Sequence, residues 1–130
     1  MAGRYLLDTN AVIDIFGGNE ELARTLASTP FVFISTIVLG ELYFGAEKSH
    51  RVTENLARIE SFAAECTALE PDMVVAREYG RVKQRLKSRG RPIPDNDLWI
   101  AATALAYGLT LLSRDSHFDA VENLVRETWR

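Results

Sequence analysis

Apolar residues fall in short runs separated by polar breaks, and the breaks carry turn and capping residues. Tyr5-Leu6-Leu7 is a brief apolar run that stops at Asp8, the mark of a buried strand ending in a polar turn. Asn10 to Phe16 predicts a short helix closed by Gly17-Gly18. Glu20 to Ser28 predicts a second, with Leu22 and Leu26 on one face. Phe31 to Ile34 is another strand, set off by Pro30 and Ser35, and helices follow from Thr36 to Ala46 and from Thr53 to Ala64. Thr67-Ala68-Leu69 predicts a short strand before Pro71. Asp72 caps a long helix running to Arg89, after which Gly90, Pro92 and Pro94 break the chain. The helix from Asn96 to Tyr107 ends at Gly108, a left-handed terminator. Leu109 to Leu112 and Leu124 to Glu127 complete the strands.

Strands alternating with helices predict an α/β fold, a mostly parallel sheet with helices on both faces. In such a sheet, polar residues just beyond the strands collect along one edge, where ligands bind. Asp8, Ser35 and the segment Ser113 to Asp115 occupy such positions. A length of 130 residues suits one domain, 1–130. Hydrophobic residues at 47% and charged residues at 25% exclude disorder as the main state. No apolar run is long enough to cross a bilayer, and Met1-Ala2-Gly3-Arg4 leads directly into the first strand, so neither leader nor anchor is expected. Cys66 is the only cysteine. An internal disulfide is therefore impossible, a reducing cytoplasm fits, and a small buried hydrophobe is the expected role.

Some carboxylates sit where charge is expensive. Asp8 directly follows a buried strand. Glu41 is surrounded on its helix by Ile37, Val38, Leu39, Leu42, Tyr43 and Phe44. Asp97 opens a helix whose apolar side chains cover nearly its whole circumference, and Asp115 lies just past Leu111-Leu112-Ser113. Arg114 is the only base adjacent to any of them. Each has a local alternative: Asp8 or Asp97 at a helix N-terminus, Asp115 as a turn residue, Glu41 reaching solvent. If the four converge, their repulsion adds to the desolvation of each. A divalent cation removes both, and an oxygen-rich site favours Mg²⁺, Mn²⁺ or Ca²⁺ over zinc.

Four segments also carry a family resemblance: Asp8-Thr9-Asn10 after the first strand; Glu41-Leu42 with Gly45 a turn later; Asn96-Asp97-Leu98-Trp99-Ile100-Ala101-Ala102-Thr103-Ala104; and Leu111-Leu112-Ser113-Arg114-Asp115-Ser116-His117-Phe118. In this order and spacing, over nearly the whole chain, they resemble PIN-domain ribonucleases, closely the VapC toxins of toxin–antitoxin pairs. The resemblance implies a Rossmann-like α/β/α sandwich, Mg²⁺ or Mn²⁺ as cofactor, and endoribonuclease activity. It also implies a VapB-like antitoxin and a homodimer. The catalytic acids it implies are Asp8, Glu41, Asp97 and Asp115, with Asp8, Asp97 and Asp115 as metal ligands. Thr9, Asn10, Ser35 and Ser113 are candidates for holding ligands or waters in place. Asp95 and Asp119 are additional acids not counted as ligands, and His117 is expected to pack in its loop.

The formal net charge of −3 argues against a nucleic-acid partner unless acids and bases are segregated. They are: between Arg77 and Arg91 seven basic residues stand against the single acid Glu78. Val75, Tyr79, Val82 and Leu86 form one apolar stripe, with Arg77, Arg81, Arg85 and Arg89 along one flank as a candidate RNA-binding wall and Lys83 and Lys87 along the other. The alternative is a solvated helix face. Ile13, Phe16, Tyr43 and Phe44 are candidates for antitoxin contact or core packing. A phosphotransferase of haloacid-dehalogenase type needs a second acid where Asn10 stands, and a receiver domain needs paired acids and a late lysine that are not evident. A non-catalytic module that grips RNA or a partner remains the stronger rival.

Overall fold

A computed structural model describes residues 3–130. Met1 and Ala2, part of the expectation against a leader, lie outside the described residues. Five strands, β1 (Arg4–Leu7), β2 (Phe31–Ser35), β3 (Thr67–Leu69), β4 (Thr110–Leu112) and β5 (Arg126–Glu127), form one sheet in the order β3-β2-β1-β4-β5. Every pairing is parallel. Six helices flank it: α1 (Thr9–Phe16), α2 (Glu20–Ala27), α3 (Thr36–Glu47), α4 (Val52–Ala64), α5 (Met73–Ser88) and α6 (Asp95–Tyr107). The expected α/β sandwich is what forms. From β1 the chain steps outward to β2 and β3, then crosses back to β4. Right-handed crossovers in opposite directions put helices on both faces.

Leu6, Leu7, Ile34, Leu111 and Leu112 are all at most 2% exposed, which is why the central strands read as unbroken apolar runs. Polar caps start the helices: Asp8 caps α1, Asn19 caps α2, Ser35 caps α3 and Asp72 caps α5, each accepting from a backbone N–H of the first turn. Because Asp8 is the cap, α1 begins at Thr9, one residue before the expected start. Gly108 ends α6 at φ 63°, where a Cβ would be strained, and Leu109 N closes onto Ala104 O at 2.9 Å. On α5, Val75, Val82 and Leu86 are buried along the expected stripe, while Tyr79 is half-buried and stacks on Trp99 of α6 with ring centroids 3.9 Å apart.

The region after β4 departs most from expectation. A 3-10 turn, Ser116–Ala120, plants Phe118 in the core at 0% exposure. Asn123 adopts φ 69°, and the last strand shrinks to two residues instead of starting at Leu124. Trp129 then returns to the body, 8% exposed, its indole N–H donating to Asp14 Oδ2 at 2.9 Å. Cys66 is half-buried and free, and burial pushes its thiol up to about 11, which leaves it an inert packing group. Among the described residues no helix is long and apolar enough to cross a membrane.

Candidate active site

Register builds the site. Leu7 pairs with Ile34 on one side and Leu112 on the other, so the next residues, Asp8, Ser35 and Ser113, stand level at the carboxyl edge. Strand order reverses between β1 and β4, the switch point where open parallel sheets leave a crevice. Asp8 and Ser113 flank that crevice. Asp8 N donates to Leu112 O at 3.0 Å and Ser113 N to Glu127 O at 3.1 Å, so both are pinned by sheet-type bonds. Glu41 comes from the second turn of α3, Asp97 from the first turn of α6, and Asp115 from the residue preceding the 3-10 turn. The four acids line one open hollow of about 570 Å³, with Asp95 and Asn96 on its rim. Asp97 also sits where the amide dipoles of α6 favour negative charge.

Hydrogen bonds link the acids to the residues expected to hold them. Asp8 is 5% exposed. Its Oδ1 accepts from Thr9 N at 2.9 Å and its Oδ2 from Ser113 Oγ at 2.6 Å. Thr9 Oγ1 donates to Glu41 Oε1 at 2.7 Å. Ser113 Oγ in turn accepts from Asp115 N at 3.0 Å and from Asn10 Nδ2 at 3.4 Å, and Asn10 Oδ1 accepts from Arg114 N at 3.3 Å. Ser35 has a different occupation: its hydroxyl accepts from Ile37 N at 3.1 Å to cap α3, and it does not line the hollow.

Burial is the main force on the Asp8 carboxyl and raises its pKa; Ser113 and Thr9 pull it back, and the charges of Asp97 and Glu41 push it up again. Asp97 is also raised, first by burial, with His117 pulling down and Asp115 and Glu41 pushing up. The charges of neighbouring acids thus add to burial at both Asp8 and Asp97.

His117 does more than pack in its loop. Its Nε2 lies 2.7 Å from Asp97 Oδ2 and its Nδ1 2.7 Å from Asp115 Oδ1. Nothing in the local pattern distinguishes this histidine; its place in the RDSHF segment, three residues before the turn ends, is the only signal. The two additional acids are otherwise engaged. Asp95 accepts from Tyr79 Oη at 2.5 Å and Lys83 Nζ at 3.4 Å, and the Tyr79 bond holds its pKa below the usual range. Asp119 takes a two-pronged contact from Arg126 at 2.8 and 3.0 Å, which likewise lowers it. A third Arg126 nitrogen donates to Ser113 O at 2.9 Å and braces the site loop from behind.

The four candidate arginines lie on α5 and the capping residue that follows it, outside the lining of the hollow. Arg81 pairs with Glu78 at 2.6 Å, and Arg85 and Arg89 approach Glu122 at 3.8 and 3.1 Å; Arg77 is exposed. Of the apolar candidates, Ile13 and Phe16 line a second groove of about 270 Å³ between α1, α3 and α4. Ile13, Thr9 and Glu41 belong to both hollows, so the apolar groove runs into the acidic one. Phe44 is 67% exposed and Tyr43 half-buried.

Residues 5–124 match the family model described as PIN domain. The chain is 37% identical over 129 residues to Ribonuclease VapC2 of Haemophilus influenzae, covering 97% of this chain and 98% of the relative. It is 32% identical over 129 residues to the tRNA(fMet)-specific endonuclease VapC of Shigella flexneri, at 97% and 98% coverage. Its fold matches a chain of DNA-bound VapBC from Salmonella typhimurium with a TM-score of 0.90 at 31% identity, covering 98% of both.

Proposed function

The chain belongs to the PIN-domain family, among the VapC ribonucleases, and we propose that it is a divalent-metal-dependent endoribonuclease, the toxin of a toxin–antitoxin pair, working in the cytoplasm. The observation that carries this reading is the convergence of Asp8, Glu41, Asp97 and Asp115 from four separate segments on one open hollow. Two of these carboxyls are raised by burial and by mutual repulsion, a state that a bound cation relieves. The donor set fits Mg²⁺ or Mn²⁺: carboxylate oxygens dominate, and Ser113 and Thr9 orient them. Asp8, Asp97 and Asp115 would hold the ion. When bound, such an ion lowers the pKa of a water and stabilises charge that develops on the phosphate.

The chain's own residues supply the rest. Thr9 fixes Glu41 through Oε1, which leaves Oε2 free to accept a proton from the attacking water. Water adds to phosphorus in line, the bond to the sugar 3′ oxygen breaks, that oxygen takes a proton from solvent, and the products carry a 5′ phosphate and a 3′ hydroxyl. The arginines of α5 contact RNA phosphates away from the cut, where they offset the chain's acidity. A VapB-like antitoxin lays an apolar segment in the groove between α1, α3 and α4, which leads directly into the acidic hollow. The exposed apolar residues that remain, Phe44 among them, are available for homodimer contact.

The test is cleavage of a mixed RNA pool with Mg²⁺, Mn²⁺ or EDTA, comparing the wild type with Asp97→Asn. Cleavage that needs the metal and vanishes in the variant is expected. Activity that survives both chelator and substitution overturns the proposal, and RNA binding without any cleavage favours a non-catalytic module instead.

A further inference from the structure

A histidine stands beside two of the acids that line the hollow. His117 stands between Asp97 and Asp115, 2.7 Å from an oxygen of each, and its ring stacks on Phe118 with centroids 5.0 Å apart. Phe118 is fully buried, so the imidazole is carried on an anchored turn and not on a free loop. One donor atom from each of Asp97, Asp115 and His117 lies within 4.8 Å of the other two. Ligands of a six-coordinate ion with bonds of about 2.1 Å stand about 3 Å apart when adjacent and about 4 Å when opposite. His117 Nε2 and Asp97 Oδ2, 2.7 Å apart, need only small movements to share one ion.

We propose that His117 Nε2 is a ligand of the divalent ion beside Asp97, and that it makes the site prefer Mn²⁺ to Mg²⁺. The inference rests on the reading of the hollow as a metal site. The Nε2 contact with Asp97 Oδ2 becomes shared coordination of one ion, while Nδ1–H stays on Asp115 Oδ1. Asp115 then orients the ring from behind, as carboxylates do for metal-bound histidines, and in this arrangement supports the ion through His117 in place of a direct bond. Imidazole is a poor ligand for hard Mg²⁺ and an acceptable one for Mn²⁺, so replacing one oxygen with this nitrogen tilts selectivity toward the transition metal.

Pulsed electron paramagnetic resonance on the Mn²⁺-loaded protein tests this without any RNA. A nitrogen coupling is expected in the wild type; it changes when histidine is ¹⁵N-labelled, persists in His50→Gln and disappears in His117→Gln. Calorimetric titration is expected to show the Mn²⁺ to Mg²⁺ affinity ratio of His117→Gln falling by about tenfold, the lower end of what supporting groups at metal sites contribute. Mn²⁺ that binds without nitrogen coupling overturns the role of His117 and leaves the carboxylate site intact. Failure of the wild type to bind Mn²⁺ at all overturns both. If His117→Gln does not fold, the isotope comparison on His50→Gln, whose one remaining histidine is His117, decides.

Discussion

Replacing Ser113 by alanine removes the hydroxyl on which the site converges. Ser113 is 0% exposed, and its Oγ donates to Asp8 at 2.6 Å while accepting from Asp115 N and Asn10 Nδ2. Alanine keeps the Cβ and leaves the backbone bond to Glu127 O in place. The lost bond to a buried carboxylate contributes about 1.5–3 kcal/mol. Asp115 and Asn10 are only partly buried, so water replaces their lost partner and adds little. In a chain of this size, a loss of about 2 kcal/mol lowers Tm by roughly 7 °C. A second effect is electrostatic. The Ser113 bond is the largest influence holding Asp8 down against burial, so without it the already raised carboxyl rises further. Cation binding needs Asp8 ionised, and the acid limb of metal affinity and of cleavage therefore moves to higher pH. Thermal unfolding in EDTA and metal titration across the acid limb measure the two effects separately. Ser113→Thr keeps the hydroxyl and is expected to retain both properties. An alanine variant whose Tm falls while its acid limb stays in place would refute the link between Ser113 and Asp8.

Three other outcomes are expected. Asp8 and Asp97 have raised folded-state values, so the metal-free fold binds their protons more tightly than the unfolded chain does. Its stability should rise as pH falls through those raised values toward the ordinary carboxylate range, and be lowest once both are ionised. Asp8→Asn should thus abolish cleavage yet gain about 0.5–2 kcal/mol over the wild type in EDTA at neutral pH; urea unfolding that shows a loss counts against this. Phe118→Ala, which empties a fully buried position under the Asp115–His117 turn, should lose about 3–5 kcal/mol, read by the same unfolding assay, and weaken Mn²⁺ binding with it. If the α5 arginines touch phosphates, Arg77→Gln should weaken RNA binding uniformly across sequences and reduce the salt slope by about 1, and an unchanged slope in a filter-binding series removes that arginine from the interface.

Much of the fold was legible because its signals are local. The run Leu6-Leu7 before Asp8, the cap at Asp72 and the stop at Gly108 each act through backbone geometry or burial within a few residues, and each appears where the pattern placed it. The four acids were legible as a set because charge beside apolar runs demands compensation, whatever the topology. Two assignments were less local than they looked. Asp8 is at once the cap of α1 and a wall of the hollow, so the local role does not remove it from the shared hollow. Ser35 has the same strand-end position as Asp8, yet its hydroxyl is taken up by the cap of α3.

Local pattern alone determined that this chain alternates buried strands with helices and sets acids at the strand ends, since periodicity and turn chemistry act over a few residues. Which of those groups meet was decided only by strand order and register. Placing β4 beside β1 brings Ser113 onto Asp8 across 105 positions of chain, and the 3-10 turn carries His117 between Asp97 and Asp115. The same long-range packing sets Glu122 against Arg85 and Arg89 and the Trp129 indole on Asp14. Such contacts depend on distances across the sheet and between layers. A one-residue shift in register would turn the strand side chains to the opposite face of the sheet and displace the residues that follow the strands, without altering a single local preference.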